Sequence, residues 1–305
     1  MMKRYIRVFD NHSDYENYLN SGDMLLPNVS HCVTQDDIHY NPLRDYSLDY
    51  LTFVSLVDNN DILFCYYNTN LYNVSKTISV SVDDGATWEE YESTSVNGGT
   101  TIATLNAGEK LLVKGMNSKY WERNGVQIVH SYFEMDNVNV EGNIMSLVYG
   151  DNFVGQTTLT EQMVFDGLFA GCGIVNAKNL VLPSTTLTDC CYQTMFANCE
   201  NLVTAPQLPA TTLAVRCYNG MFDGCTSLTT APDLPATTLA QGCYEYMFVN
   251  CISLSKEAKL PNTYTPSNKL SGDYCGYMYD STGLTYSETS SVYAELAYQH
   301  YSDMK

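Results

Sequence analysis

The sequence predicts a multidomain chain, an all-β sandwich followed by a short solenoid of about five strand-turn-helix units, and three observations carry that expectation. The run Cys191-Tyr192-x-x-Met195-Phe196-x-x-Cys199 returns as Cys217-Tyr218-x-x-Met221-Phe222-x-x-Cys225 and Cys243-Tyr244-x-x-Met247-Phe248-x-x-Cys251, at a constant step of 26 residues. Between these copies, Leu182-Pro183-Ser184-Thr185-Thr186-Leu187 recurs as Leu208-Pro209-Ala210-Thr211-Thr212-Leu213 and Leu234-Pro235-Ala236-Thr237-Thr238-Leu239. A fixed period of this length marks units that bury a face only by stacking on their neighbours. Upstream, from Tyr50 to about Val148, the apolar period is two and turn residues separate β-rich runs.

Residues 1–48 read as an amino-terminal docking arm. Prolines at 27 and 42 hold the preceding residues extended, and Asn28, His31, His39, Tyr40 and Asn41 are its candidate docking residues. His31, Cys32 and His39 lack a fourth ligand, so no metal is expected there. Residues 49–148 form the sandwich, of immunoglobulin-like kind, with strands expected at 51–57, 62–67, 77–82, 88–93, 100–105, 110–114, 127–133 and 138–148. Its turns are Asp58-Asn59-Asn60-Asp61, Asp83-Asp84-Gly85, Asn97-Gly98-Gly99 and Asn106-Ala107-Gly108. Ser81-Val82-Asp83-Asp84-Gly85-Ala86-Thr87-Trp88 fits the Asp-box pattern, in which Asp83 accepts backbone N–H bonds, Gly85 permits positive φ and Trp88 packs beneath.

Residues 149–285 form the solenoid. Leu168-Phe169-x-x-Cys172 and Tyr277-Met278-Tyr279 are its degenerate outer units. Within a unit, Leu213, Cys217, Met221 and Cys225 fall every four residues, which reads as a helical stripe broadened by Phe222. Thr211 or Thr212 would cap that helix and Gly224 would stop it. The prolines of the other half call for a short edge-like strand. Residues 286–305 read as a carboxy-terminal cap or tail, helical across Ser290–Tyr301.

Composition narrows the function. With 15 Lys and Arg against 34 Asp and Glu, the net charge is −19, which excludes nucleic acid as the natural partner. No apolar stretch is long enough to insert in a membrane, and the first ten residues have no signal-peptide core. Seven of the eleven cysteines fall in two repeat columns and read as buried thiols rather than disulfides. The five arginines are too scattered for a sialidase cluster, and Asp83/Asp84 and Glu89/Glu90 sit on a turn and a strand rather than across a cleft. No catalytic residue, cofactor or metal is expected.

The phrase Met221-Phe222-Asp223-Gly224-Cys225-Thr226-Ser227-Leu228-Thr229-Thr230-Ala231-Pro232-Asp233-Leu234-Pro235-Ala236-Thr237-Thr238-Leu239-Ala240 resembles the BspA-like leucine-rich repeats of gut Bacteroidales and their phages, over residues 140–285. The lead-in 140–153 is similar to what precedes such repeats. Pro27 to Cys32 and His39 to Pro42 resemble an amino-terminal segment of structural proteins in crAss-like phages. The resemblance implies a leucine-rich-repeat fold and a surface or virion adhesin without catalytic residues.

The expected function is therefore a non-enzymatic, phage virion-associated binding protein. Its arm would attach to other virion proteins, and its repeats would face host surface glycan or protein. The candidate ligand residues are Gln193, Arg216, Asn219, Gln241, Glu245 and Tyr246, at columns that vary between copies. The alternatives are a structural decoration of a capsid or tail and a bacterial cell-surface adhesin. A homo-oligomer is compatible with each.

Overall fold

The computed structural model describes residues 5–9, 29–33, 45–68, 75–94, 99–124, 127–261 and 275–284. Two compact units divide the chain, Met1–Asp45 and Tyr46–Lys305. In the first, β1 (Tyr5–Phe9) pairs in parallel with β2 (Val29–Val33), from Tyr5 opposite Val29 to Phe9 opposite Val33. His31 lies on β2; Asn28, His39, Tyr40 and Asn41 lie outside the described residues, as does Ser290–Tyr301.

The second unit begins with two β-sheets. One holds β4 (Asn60–Asn68), β7 (Thr100–Leu105), β9 (Trp121–Asn124) and β10 (Gln127–Glu134) in the order β7-β4-β10-β9. The other holds β3 (Leu51–Ser55), β5 (Thr77–Ser81), β6 (Glu89–Glu92), β8 (Lys110–Gly115), β11 (Asp136–Asn143) and β12 (Gly173–Val181) in the order β12-β11-β3-β8-β5-β6. Phe53 of β3 meets Phe133 of β10 edge-on at 5.0 Å, so the sheets share one core. The strand expected at 138–148 stops at Asn143, and α1 (Ser146–Tyr149) follows. Strand β12 comes from the repeat region and pairs in parallel with β11.

The repeats correct the expected fold class. Among the described residues α1 is the one named α-helix, and the leucine-rich-repeat solenoid of strand-turn-helix units is not formed. The Cys-Tyr-x-x-Met-Phe runs are chains of overlapping turns. Their backbone N–H groups alternate between two acceptors. Tyr192, Thr194, Phe196 and Asn198 donate to the carbonyls of Cys217, Asn219, Met221 and Asp223 in the next copy at 2.6–3.0 Å. Gln193, Met195, Ala197 and Cys199 donate back three residues, to Cys190, Tyr192, Thr194 and Phe196, at 3.0–3.3 Å. Every buried N–H along this run finds a partner without a helix.

What forbids the helix is a left-handed residue every fourth position. Met163, Gly167 and Gly171 have φ of 56, 62 and 77°; Cys190, Thr194 and Asn198 have 55, 49 and 59°. Arg216, Gly220 and Gly224 (52, 58 and 74°) and Gly242, Tyr246 and Asn250 (64, 58 and 58°) repeat the pattern, and Tyr277 and Ser281 continue it. A Cβ on Gly224 would stand 2.4 Å from Asn198 Oδ1, so this position needs glycine for space as well as for φ. Thr211 and Thr212 are not helix caps: both N–H groups bond to the carbonyl of Thr185, one copy back, at 3.0 and 3.1 Å.

Each 26-residue copy is thus a turn-built rung, and the rungs stack through continuous side-chain ladders. Phe165, Tyr192, Tyr218 and Tyr244 stack at centroid spacings of 5.7, 5.8 and 6.2 Å. Phe169, Phe196, Phe222, Phe248 and Tyr279 form a second ladder at 5.4–5.7 Å. That ladder continues into the sheets, since Phe169 also meets Phe133 at 5.9 Å and Phe53 at 6.0 Å. The thiols of Cys172, Cys199, Cys225 and Cys251 donate to the carbonyls of Phe133, Phe169, Phe196 and Phe222 at 3.0–3.1 Å. Cys172, Cys199, Cys225 and Cys251 form no disulfide, and burial raises the pKa of these four thiols. The column is cysteine because it fills a small buried site and supplies a donor there.

Candidate binding surface

Four of the six predicted ligand residues come together on one edge of the rungs. Arg216 is exposed on the third rung and leans over Gly242 of the fourth. The position a Gly242 Cβ would take lies 3.1 Å from Arg216 Cγ and 3.2 Å from Glu245 Oε2, so glycine is what lets these two side chains approach. Asn219 donates through Nδ2 to Glu245 Oε2 at 3.1 Å. Tyr246, 40% exposed, follows Glu245 and stacks on Tyr277 at 5.1 Å with the rings 9° from parallel.

Gln193 and Gln241 stand apart from this group. Gln193 occupies the Asn219 column one rung earlier, and its carbonyl accepts the N–H of Gly167 at 2.9 Å. Gln241 is exposed, and its carbonyl accepts the N–H of Arg216 at 3.0 Å. The side chains of Arg216, Gln193 and Gln241 make no hydrogen bond or ion pair among the described residues. In the Gln241 column Asp189 is already engaged, taking the Val215 N–H at 3.0 Å and the Gln162 amide at 3.4 Å.

The sequence reading missed a second group, on the four-stranded sheet. His130 of β10 sits directly opposite Trp121 of β9 and Tyr67 of β4. Its ring stacks on Tyr132 at 5.0 Å and meets Trp121 at 4.6 Å with the planes tilted by 48°. A Cβ on Gly167 would lie 2.9 Å from His130 Cε1, so the first rung abuts the imidazole through bare backbone. Beside it, the buried Asp166 accepts the hydroxyl of Thr194 at 2.9 Å. Burial lifts the Asp166 carboxyl to about 7, against the opposing pull of that hydroxyl, and burial lowers His130 to about 4. The signal was present: a period of two puts His130 and Tyr132 on one face of β10.

The Asp box forms a fastening of its own. Asp83 takes the Thr87 hydroxyl, the Ser81 hydroxyl at 2.7 Å and the Thr87 N–H at 2.9 Å; these bonds, Thr87's hydroxyl foremost, hold its carboxyl at about 2. Trp88 lies under the Lys114 ammonium, 3.9 Å from its ring centroid, and meets Tyr50 at 4.9 Å. Lys114 and Tyr50 both reach Asp151 Oδ1 at 2.7 Å. The carboxylates of Asp83 and Asp151, the Lys114 ammonium and the Tyr50 hydroxyl are thus engaged with one another or with their neighbours.

The rung edge therefore offers Arg216 and Asn219 about Glu245, with the Tyr246 and Tyr277 pair following Glu245, and the sheet offers an aromatic row. Such groups hold a ligand by stacking and hydrogen bonds. Among the described residues no cluster of His, Cys, Asp and Glu is arranged to hold a metal. No family model matches the chain, and no curated protein or solved structure is similar enough to be matched with it.

Proposed function

We propose that the protein is a non-enzymatic binding protein whose rung edge, centred on Arg216, Asn219, Glu245 and Tyr246, contacts glycan or protein on a host cell surface. One observation carries this reading: Arg216 and Tyr246 occupy left-handed positions that Gly242 and Gly220 fill elsewhere in the same columns. A left-handed residue with a Cβ is disfavoured by roughly 1–2 kcal/mol. Strain accepted at exposed side chains points to a use for those side chains. Among the described residues Tyr246 stacks on Tyr277, and the Arg216 side chain makes no hydrogen bond or ion pair.

Attachment to a phage particle through the amino-terminal unit is the part of the proposal that rests on the resemblance of residues 27–42 alone. The test uses labelled full-length protein and intact Bacteroidales cells. The double variant Arg216→Gly with Tyr246→Gly is expected to lose cell binding at least tenfold while its melting temperature stays level or rises. Unchanged binding by a folded variant would refute the rung edge as the site. Competition by extracted surface polysaccharide, against protease treatment of the cells, separates glycan from protein. Rungs masked from antibody in an intact particle would instead favour the decoration role.

A further inference from the structure

Where asparagine precedes glycine, no Cβ stands between the glycine nitrogen and the asparagine side chain, and the backbone is free to bring the two together. The sequence holds this pair at 97–98, 124–125 and 219–220, and Asn219-Gly220 is the one whose two residues both lie among those described. It stands on the third rung, with Asn219 partly buried and Gly220 at φ 58°. The reaction open to it joins Gly220 N to Asn219 Cγ. Once that nitrogen has lost its proton to base in the solvent, the new C–N bond closes a succinimide, the Cγ–Nδ2 bond breaks and ammonia leaves. One water then opens the ring at either carbonyl, giving aspartate or isoaspartate. Nothing is oxidised or reduced, and water is the only co-reactant.

Both reacting groups are held by one residue of the fourth rung. Gly220 donates its N–H to the Glu245 carbonyl at 2.9 Å, and Asn219 Nδ2 donates to Glu245 Oε2 at 3.1 Å. A bonded amide gives up its proton only when the structure around it opens. The same backbone bond recurs at Gly167 and Gly224, which follow Asp166 and Asp223 and donate to the carbonyls of Gln193 and Val249 at 2.9 and 2.8 Å. The lock thus belongs to the rungs, and Asn219 is where it guards a carboxamide. We propose that Asn219 is a site of spontaneous covalent modification, suppressed while the third and fourth rungs are stacked and released when they part. The product would not restack as before. A carboxylate at 219 would face the Glu245 carboxylate that now accepts the amide, and like charges so close repel. Isoaspartate would also add a main-chain carbon inside a copy of fixed length. The modification would therefore hold apart rungs that had once opened.

The test incubates the full chain in mildly alkaline buffer and follows isoaspartate, with the amide-to-acid mass gain, in the peptide that holds residue 219. Conversion is expected to be about tenfold slower, or more, in the folded parent than in the same protein in urea. Glu245→Ala removes the side-chain bond and leaves the carbonyl, so it should convert faster than the parent while its melting curve shows it folded. Phe222→Ala, which loosens the ladder between these rungs, should convert faster still; if it fails to fold, Glu245→Ala carries the test. Asn219→Gln places the residue of the same column at Gln193 and should yield no isoaspartate there. Equal rates for folded and urea-unfolded parent would overturn the proposal. So would a rate that rises in urea but in neither variant, since opening of the rungs would then not be what releases Asn219.

Discussion

The two parts of the larger unit solve the same backbone problem differently. In the sheets, the non-glycine residues with left-handed φ are Asn59, Asp84 and Asn137, whose short polar side chains tolerate that region. In the rungs they include Met163, Cys190, Thr194, Arg216, Tyr246 and Tyr277. Local turn chemistry therefore sets the hairpins. In the rungs the conformation is imposed from outside, by alternating bonds to the next copy and by ladders that hold rung on rung. A sheet turn depends on its own residues, whereas a rung depends on its neighbours.

The largest expected effect tests that dependence. Phe222→Ala removes the middle of a five-ring ladder and should destabilise the chain by about 3–5 kcal/mol. Amide exchange is expected to quicken across residues 190–251 and to leave β4 and β10 protected, because the loss is passed between rungs. Equal quickening in β10 would break the comparison and make sheets and rungs one cooperative body, joined through Phe133 and Phe169.

A smaller effect is expected at the seam, where Asp166 of the first rung lies beside His130 of β10. Asp166 has a folded pKa of about 7 against an ordinary 3.8. The unfolded chain ionises first as pH rises, so this group's cost to folding grows from pH 3.8 to 7 and is complete above. His130 acts in the opposite sense, with a folded value of about 4 against 6.5, and lowers stability as pH falls from 6.5 to 4. Asp166→Asn keeps an acceptor for Thr194 and removes the ionisation. It should stabilise the chain by about 4 kcal/mol at pH 8, since the folded and unfolded values lie about three units apart and each unit is worth about 1.4 kcal/mol. Urea midpoints at pH 8 and pH 5 check this: the gap between variant and parent should shrink at the lower pH. A gap independent of pH would mean that Asp166 is ionised in the folded chain.

These residues also show how much the sequence carried. The 26-residue step is real in the structure, and Cys191, Tyr192, Met195, Phe196 and Cys199 are buried in every full copy. Their spacing of four suggests a helix because i, i+4 and i+8 also share a helix face. On a helix each step of four overshoots a full turn by about 40°, so a strict period of four over three steps leaves the stripe. Gly167, Gly171, Asn198, Gly220, Gly224, Gly242 and Asn250 mark the left-handed positions and are visible in the sequence. Arg216, Thr194 and Tyr246 obscure them, because nothing local favours positive φ there. Strand β12 is hidden for a related reason: Gly173–Val181 pairs with β11, some 35 residues away along the chain, and its burial pattern does not alternate.

The smallest expected effect isolates the difference between the two kinds of left-handed position. Arg216 (φ 52°) and Asp84 (φ 55°) are both exposed, so glycine at either removes little packing. Relief of left-handed strain favours glycine by roughly 1–2 kcal/mol where the residue is ill suited, while added freedom in the unfolded chain opposes it by about 0.5–1 kcal/mol. At Arg216 the balance should stabilise the chain by about 0.5–1 kcal/mol. At Asp84 the relief is smaller, since aspartate tolerates this region, and the two terms should nearly cancel or slightly destabilise. Chemical denaturation of Arg216→Gly and Asp84→Gly beside the parent resolves these signs. If both variants shift alike, rungs and hairpins impose their left-handed residues in the same way, and strain at Arg216 no longer speaks for a ligand.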